Sequence, residues 1–161
     1  MPGTEAQIVD GEVWVRGPQL MRGYMDNPDA TEAAIDADGW LHTGDLGRFD
    51  EDGYLYLGDR IKELIKVKGF QVAPAELEAV LRSHPAVADA AVVRVPDTEA
   101  GERPKAFVVA RGPLDHDDLR SFVAAQVAPY KRIDQIEERD ALPRSPTGKL
   151  LRRMLVAEAV A

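Results

Sequence analysis

The chain of 161 residues contains no cysteine. That excludes disulfides, thiolate metal sites and a cysteine nucleophile together. Histidine is scarce as well: His42, His84 and His116 lie too far apart in sequence to suggest a metal site, and each reads as a loop or capping residue. No apolar run approaches a membrane span, and the N-terminus lacks a basic-then-apolar signal pattern, so the cytoplasm is the expected compartment. Positive charge is outnumbered, with 20 Lys and Arg against 28 Asp and Glu, and the net charge of -8 argues against a general nucleic-acid binder.

What is present is ordinary for a water-soluble domain, with 45% hydrophobic and 30% charged residues. The length accommodates one domain, or a small domain plus part of another. Repeats and low-complexity segments are lacking. The basic residues cluster at 60–68, 103–105 and 144–153.

Ala6–Val9 and Glu12–Arg16 read as strands around an Asp10-Gly11 turn, and Asn27-Pro28 opens a short helix through Ile35. Leu46–Phe49 and Tyr54–Leu57 form a second hairpin around a glycine-containing loop. Two hairpins and one helix bury little surface, so this N-terminal third is expected to need the rest of a larger domain or another chain. From Lys62 the pattern becomes self-sufficient. A hairpin at about 64–72 has its tip at Lys68-Gly69, and a helix runs from Pro74 to Arg82. Strands follow at Val87–Val95 and Lys105–Ala110, separated by a polar loop at Pro96–Arg103. Next comes a helix capped by Asp115 and running to Val127, with Asp118 placed for the reciprocal cap. Ile133–Glu138 is an edge-like strand, and Leu150–Val160 a closing helix. The expected class is α+β: a small C-terminal domain with a three-stranded sheet, a β-hairpin and flanking helices, preceded by a β-rich remnant. The expected division is 1–61 and 62–161.

Lys62, Lys66 and Lys68, spaced by two and four, would line one face of an extended strand. Such a face is a solvated edge or, with Gly69, an anion site, and spacing leaves both open. Asp45, in His42-Thr43-Gly44-Asp45, can accept backbone N–H bonds in its own turn. Arg144-Ser-Pro-Thr-Gly-Lys149 is no P-loop, because it lacks the first glycine and Leu150 replaces the magnesium-binding hydroxyl.

The stretch from Gly58 to Glu78, with Lys68–Glu78 reading KGFQVAPAELE, resembles the junction between the large and small domains of the adenylate-forming enzymes. It is most similar to the branch holding 4-coumarate–CoA ligase, acyl-CoA synthetases and firefly luciferase. The resemblance implies the C-terminal portion of an ATP-dependent carboxylic acid–CoA ligase. The end of the adenylation domain would lie in 1–61 and the mobile C-terminal domain in 62–161. Such enzymes join an acid to AMP with release of pyrophosphate, then pass the acyl group to coenzyme A.

By that resemblance Asp45 holds the ribose hydroxyls, its two acceptors suiting two vicinal donors, and Arg60 contacts the ribose and phosphate. Lys62 falls on the hinge. Lys149, in a loop similar to the family's Pro-x-x-Gly-Lys, offsets charge as the carboxylate attacks phosphorus. Lys66 and Gln71 assist thioesterification, while Lys68, Gly69 and Phe70 line the pantetheine tunnel. ATP, coenzyme A and a carboxylic acid are the implied ligands, with magnesium on ATP and its protein ligands in a preceding N-terminal adenylation domain. That domain would also carry the phosphate loop and acid pocket, which this sequence lacks, so the fragment alone is expected to be inactive. Two alternatives are a carrier-protein acceptor, against which Gln71-Val72 argues, and a non-enzymatic module that binds nucleotide or a partner chain.

Overall fold

Short alternating strands joined by glycine turns build the first part of the chain. The computed structural model describes residues 2–160, which separate into two units divided between Lys62 and Glu63. In the first, β1 (Glu5–Val9), β2 (Glu12–Arg16), β3 (Leu41–Phe49) and β4 (Leu55–Arg60) form an antiparallel sheet in sequence order. Asp10 and Gly11, at φ 50 and 84, make the tight turn between β1 and β2. Both positive angles suit the two-residue hairpin turn. Helix α1 (Pro28–Ala34) starts where Asn27 Oδ1 accepts the Ala30 amide at 3.1 Å. Among the described residues of this unit, Val13 alone is a buried hydrophobic side chain, while Tyr24, Met25, Tyr54, Tyr56 and Leu57 are exposed. The sheet has an apolar surface that it does not cover itself.

The second unit buries its strands on both faces. After a 3-10 turn at Ile61–Glu63, β5 (Ile65–Val67) and β6 (Phe70–Val72) form a hairpin, followed by α2 (Pro74–Ser83). Strands β7 (Val87–Asp97) and β8 (Gly101–Ala110) make a long antiparallel ribbon. Helix α3 (His116–Ala124), a 3-10 turn at Pro129–Lys131, β9 (Gln135–Glu138) and α4 (Arg152–Val160) complete the unit. Period-two alternation sorts the ribbon's side chains. Ala90, Val92, Ala106 and Val108 pack with Leu77 and Leu81 of α2 and with Leu119 and Val123 of α3. Ala91, Val93 and Phe107 face the other way, onto Leu142 and Leu155. Each fully buried leucine or valine contributes about 1.5–3 kcal/mol.

The expected three-stranded sheet is corrected to five strands, in the order β6-β5-β8-β7 with β9 parallel to β8. The two ribbon strands continue through the segment read as a polar loop, pairing Arg94 with Pro104 and Pro96 with Glu102. Their prolines and charges concealed the ribbon. The turn closes because Asp97 Oδ1 accepts the amides of Glu99 and Ala100 at 3.0 and 2.7 Å. The hairpin then joins the sheet through Val67 opposite Gly101 and the Lys68 amide on the Ala100 carbonyl at 2.8 Å. Asp115 caps α3 as expected, but Asp118 meets the ring of His84 at 3.2 Å, not the cap.

One ion pair crosses this unit. Glu78 of α2 is 4% exposed, and its carboxylate accepts the Val92 amide of β7 at 2.8 Å. Arg152 grips it with both terminal nitrogens, Nη2 at 3.0 Å from Oε2 and Nη1 on Oε1, while Nε meets Glu63 at 2.8 Å. Arg152→Ala leaves the buried carboxylate with Arg82, at 3.9 Å, as its remaining cationic neighbour and should lower unfolding free energy by about 3 kcal/mol, measured by urea denaturation.

Candidate functional site

In the first unit Asp45 sits where β3 is irregular, its register against β4 shifting between Asp45 and Gly47. Such irregularities re-aim a side chain. Gly44, at φ 72, turns the backbone. Thr43 Oγ1 donates to the Val13 carbonyl at 2.6 Å and accepts the Asp45 amide at 3.1 Å. Glu12 takes the Gly44 amide at 2.7 Å on one oxygen and the Trp14 indole at 3.0 Å on the other. Asp45 thereby meets Arg60 Nε at 2.9 Å, with the two residues opposed in register.

Beside them lies an open cavity of about 610 Å³, lined in part by Glu12, Tyr24, His42, Thr43, Arg60 and Lys62. His42 stacks on Trp14 with ring centroids 3.9 Å apart. Asp36, 3.3 Å from the His42 ring, is held below the usual carboxylate range by the Trp40 amide first and then by His42. Glu12 and Trp14 were missed by sequence reasoning, since a strand carboxylate beside a tryptophan carries no motif.

In the second unit Lys66 and Gln71 are opposed across the β5–β6 hairpin and both are exposed. Lys68 and Gly69, at φ 49 and 84, form its turn. The shared lysine face is therefore not formed: Lys62 lies in the 3-10 turn and Lys68 in the hairpin turn, leaving Lys66 alone on a strand. Phe70 stacks on Tyr130 with centroids 4.4 Å apart, and Lys131 pairs with Glu76 at 2.6 Å. Lys149 is exposed in a tight loop where the Ser145 amide donates to its carbonyl at 2.8 Å.

These two cationic places occupy opposite ends of the β7–β8 ribbon. The hairpin docks at Gly101, opposite Asp97, whereas the Lys149 loop is tied to Asp89 through Arg144 at 2.6 Å. Eight residue steps of an extended strand separate Asp89 from Asp97, about 25 Å. Among the described residues there is no group of three or more His, Asp or Glu that could hold a metal ion, and no helix is long and apolar enough to cross a membrane.

Residues 76–149 match the family model described as AMP-binding enzyme C-terminal domain. The chain is 51% identical over 168 residues to a 4-coumarate–CoA ligase-like protein of Arabidopsis thaliana, covering 96% of this chain and 30% of that protein. Among solved structures it is similar to an ATP-bound enzyme from Rhodopseudomonas palustris, with a TM-score of 0.93, 31% identity and coverage of 98% of this chain and 34% of that one. It is also similar to o-succinylbenzoate CoA synthetase from Bacillus subtilis in complex with its acyl-adenylate intermediate, with a TM-score of 0.86, 38% identity and coverage of 96% and 34%. The chain thus spans about a third of the length of these relatives.

The Asp97 turn supports the hairpin end of the ribbon, and its carboxyl is held below the usual range by the Ala100 amide and Arg103. In the unfolded chain Asp97 titrates near its ordinary value, about 4. Its contribution to stability is therefore complete above that pH and is lost as pH falls through the lower folded value. Hydrogen exchange at the Lys68 amide, which bonds to Ala100, should lose protection over that acidic window in the wild type. In Asp97→Asn the loss of protection should be present at neutral pH.

Proposed function

From the chain's membership of the AMP-binding enzymes through their C-terminal domain, we propose that it is the C-terminal portion of an ATP-dependent carboxylic acid–CoA ligase. The observation that carries the proposal is the placing of two exposed lysines, Lys66 and Lys149, at opposite ends of one rigid ribbon. Residues 1–61 would close the large adenylation domain and 62–161 would form its mobile partner. Lys62 would act as the hinge, adjoining the point where the two units divide.

Asp45 would turn its carboxylate from Arg60 to the two ribose hydroxyls of ATP, since two acceptor oxygens match two vicinal donors. Arg60 would then be released to the nucleotide's phosphate. Lys149 would place an ammonium between the acid carboxylate and the α-phosphorus, where negative charge accumulates as the carboxylate oxygen attacks and pyrophosphate leaves. Reorientation of the second unit would then bring in Lys66 and Gln71 for attack of the coenzyme A thiol on the adenylate carbonyl, with AMP leaving. Lys68, Gly69 and Phe70 would line the pantetheine passage. A Cβ at Gly69 would meet nothing within 4 Å in this chain, so the space there is open to a ligand. Magnesium would arrive on ATP; the described residues offer it no cluster of ligands, and its protein contacts are assigned to a preceding segment. A cytoplasmic setting supplies both ATP and coenzyme A.

In the intact ligase, Lys149→Ala should reduce acid-dependent pyrophosphate release by about two to three orders of magnitude. It should leave thioester formation from supplied acyl-adenylate near wild type. Lys66→Ala should do the reverse. Wild-type behaviour of both variants in both assays would remove the assignment, and activity with free coenzyme A separates this reading from a carrier-protein acceptor.

A further inference from the structure

The loop presenting Lys149 is tethered by a residue with no role in the scheme above. Arg144 reaches in two directions: Nη1 donates to the Gly148 carbonyl at 2.8 Å and Nη2 to Asp89 Oδ2 at 2.6 Å. Asp89 belongs to β7, which is buried along much of its length. Within the loop, the Gly148 amide donates to the Ser145 carbonyl at 2.8 Å and the Lys149 amide to Ser145 Oγ at 3.1 Å. Gly148 is left-handed at φ 83, and a Cβ built there would touch nothing within 4 Å. Packing therefore does not fix the residue before Lys149, and hydrogen bonds do. The stems of the loop are seated by Leu142 and Leu150 against Ala91, Val93 and Phe107 and closed by the Leu151 amide on the Pro143 carbonyl at 2.8 Å; Arg144 adds the side-chain link from the turn itself to the sheet.

Resting on the proposed function, we infer that Arg144 is a positioning residue for adenylation. With Asp89 it holds the Gly148-Lys149 backbone in one orientation, so that the Lys149 ammonium projects in a set direction. Side chains 45% and 30% exposed give an ion pair of little stabilising value, so what the pair supplies is geometry. A guanidinium suits the task because its planar fork can bridge a carboxylate and a carbonyl in fixed directions. A lysine at this position keeps the charge without the fork.

Two experiments test the inference. In the 161-residue chain, Arg144→Ala should raise hydrogen exchange at the amides of Ser145, Gly148 and Lys149 about tenfold while those of α2 and β7 stay unchanged. In the intact ligase the same variant should lower kcat for pyrophosphate release roughly ten- to a hundredfold, the scale expected for a reacting group displaced by about 1 Å. The KM for ATP and thioester formation from supplied acyl-adenylate should not move, and Arg144→Lys should fall between. Asp89→Asn should act in the same direction, and combined with Arg144→Ala should add little to it. Unchanged exchange, or an equal fall in both half-reactions, overturns the inference. An unaltered ligase that releases no pyrophosphate with any acid overturns the proposed function instead, and exchange then decides whether the tether exists.

Discussion

A carboxylate removed from water is the constraint on which the second unit depends. The desolvation penalty of such a group amounts to several kcal/mol, so Glu78 is tolerable only where full charge and hydrogen-bond partners meet it. The Val92 amide and the two terminal nitrogens of Arg152 supply them. Helix α2, strand β7 and the start of α4 must therefore arrive together. Arg152 also meets Glu63, so the segment entering the unit is held by the same guanidinium as the segment leaving the Lys149 loop.

Local chemistry was legible in the sequence because its causes are local. Lys68-Gly69 adopts two positive φ angles, and Asn27 and Asp115 cap the helices that follow them. The Lys68–Glu78 string was enough to indicate the family. Contacts made across long chain separations were not legible. Glu78 and Arg152 are 74 residues apart and Asp89 and Arg144 are 55 apart, and neither pair leaves a spacing pattern. Propensity misled at Pro96–Arg103. There the chain keeps its strand pairing because Asp97 closes the turn with backbone amides and Arg103 reaches Asp97 at 2.7 Å and Asp134 at 3.1 Å. The aligned lysine face is absent for a different reason: strand alternation does not hold through the 3-10 turn at Lys62 or the hairpin turn at Lys68.

The first unit shows the opposite economy. It buries little and spends its polar groups on one turn. Glu12, Val13 and Thr43 fix the backbone at Gly44, so the Asp45 carboxylate stands beside Arg60 without any core beneath it to enforce the arrangement. Gly47 is required for closeness more than for its torsion angle: a Cβ there would lie 2.4 Å from Val13 Cγ2 and 2.9 Å from the Tyr56 carbonyl. A site whose geometry is held by hydrogen bonds to neighbouring strands is precise while the sheet persists.

The ribbon turns these local features into a mechanical argument. Its central side chains are buried on both faces, by α2 and α3 on one side and by the Leu142 and Leu155 cluster on the other. It cannot bend to bring its ends together without opening a close-packed core. The ends lie about 25 Å apart along the strand, far beyond the reach of a lysine side chain. Lys66 and Lys149 are thus anchored at opposite ends of this unit's ribbon. If both lysines serve the same reacting centre, the unit must move as a body, with the torsional change confined to the segment entering it. The tethers at Glu63–Arg152 and Asp89–Arg144 then acquire a shared purpose. They would carry the Lys149 loop with the ribbon under the proposed reorientation, so that its ammonium would leave the site as the unit turns.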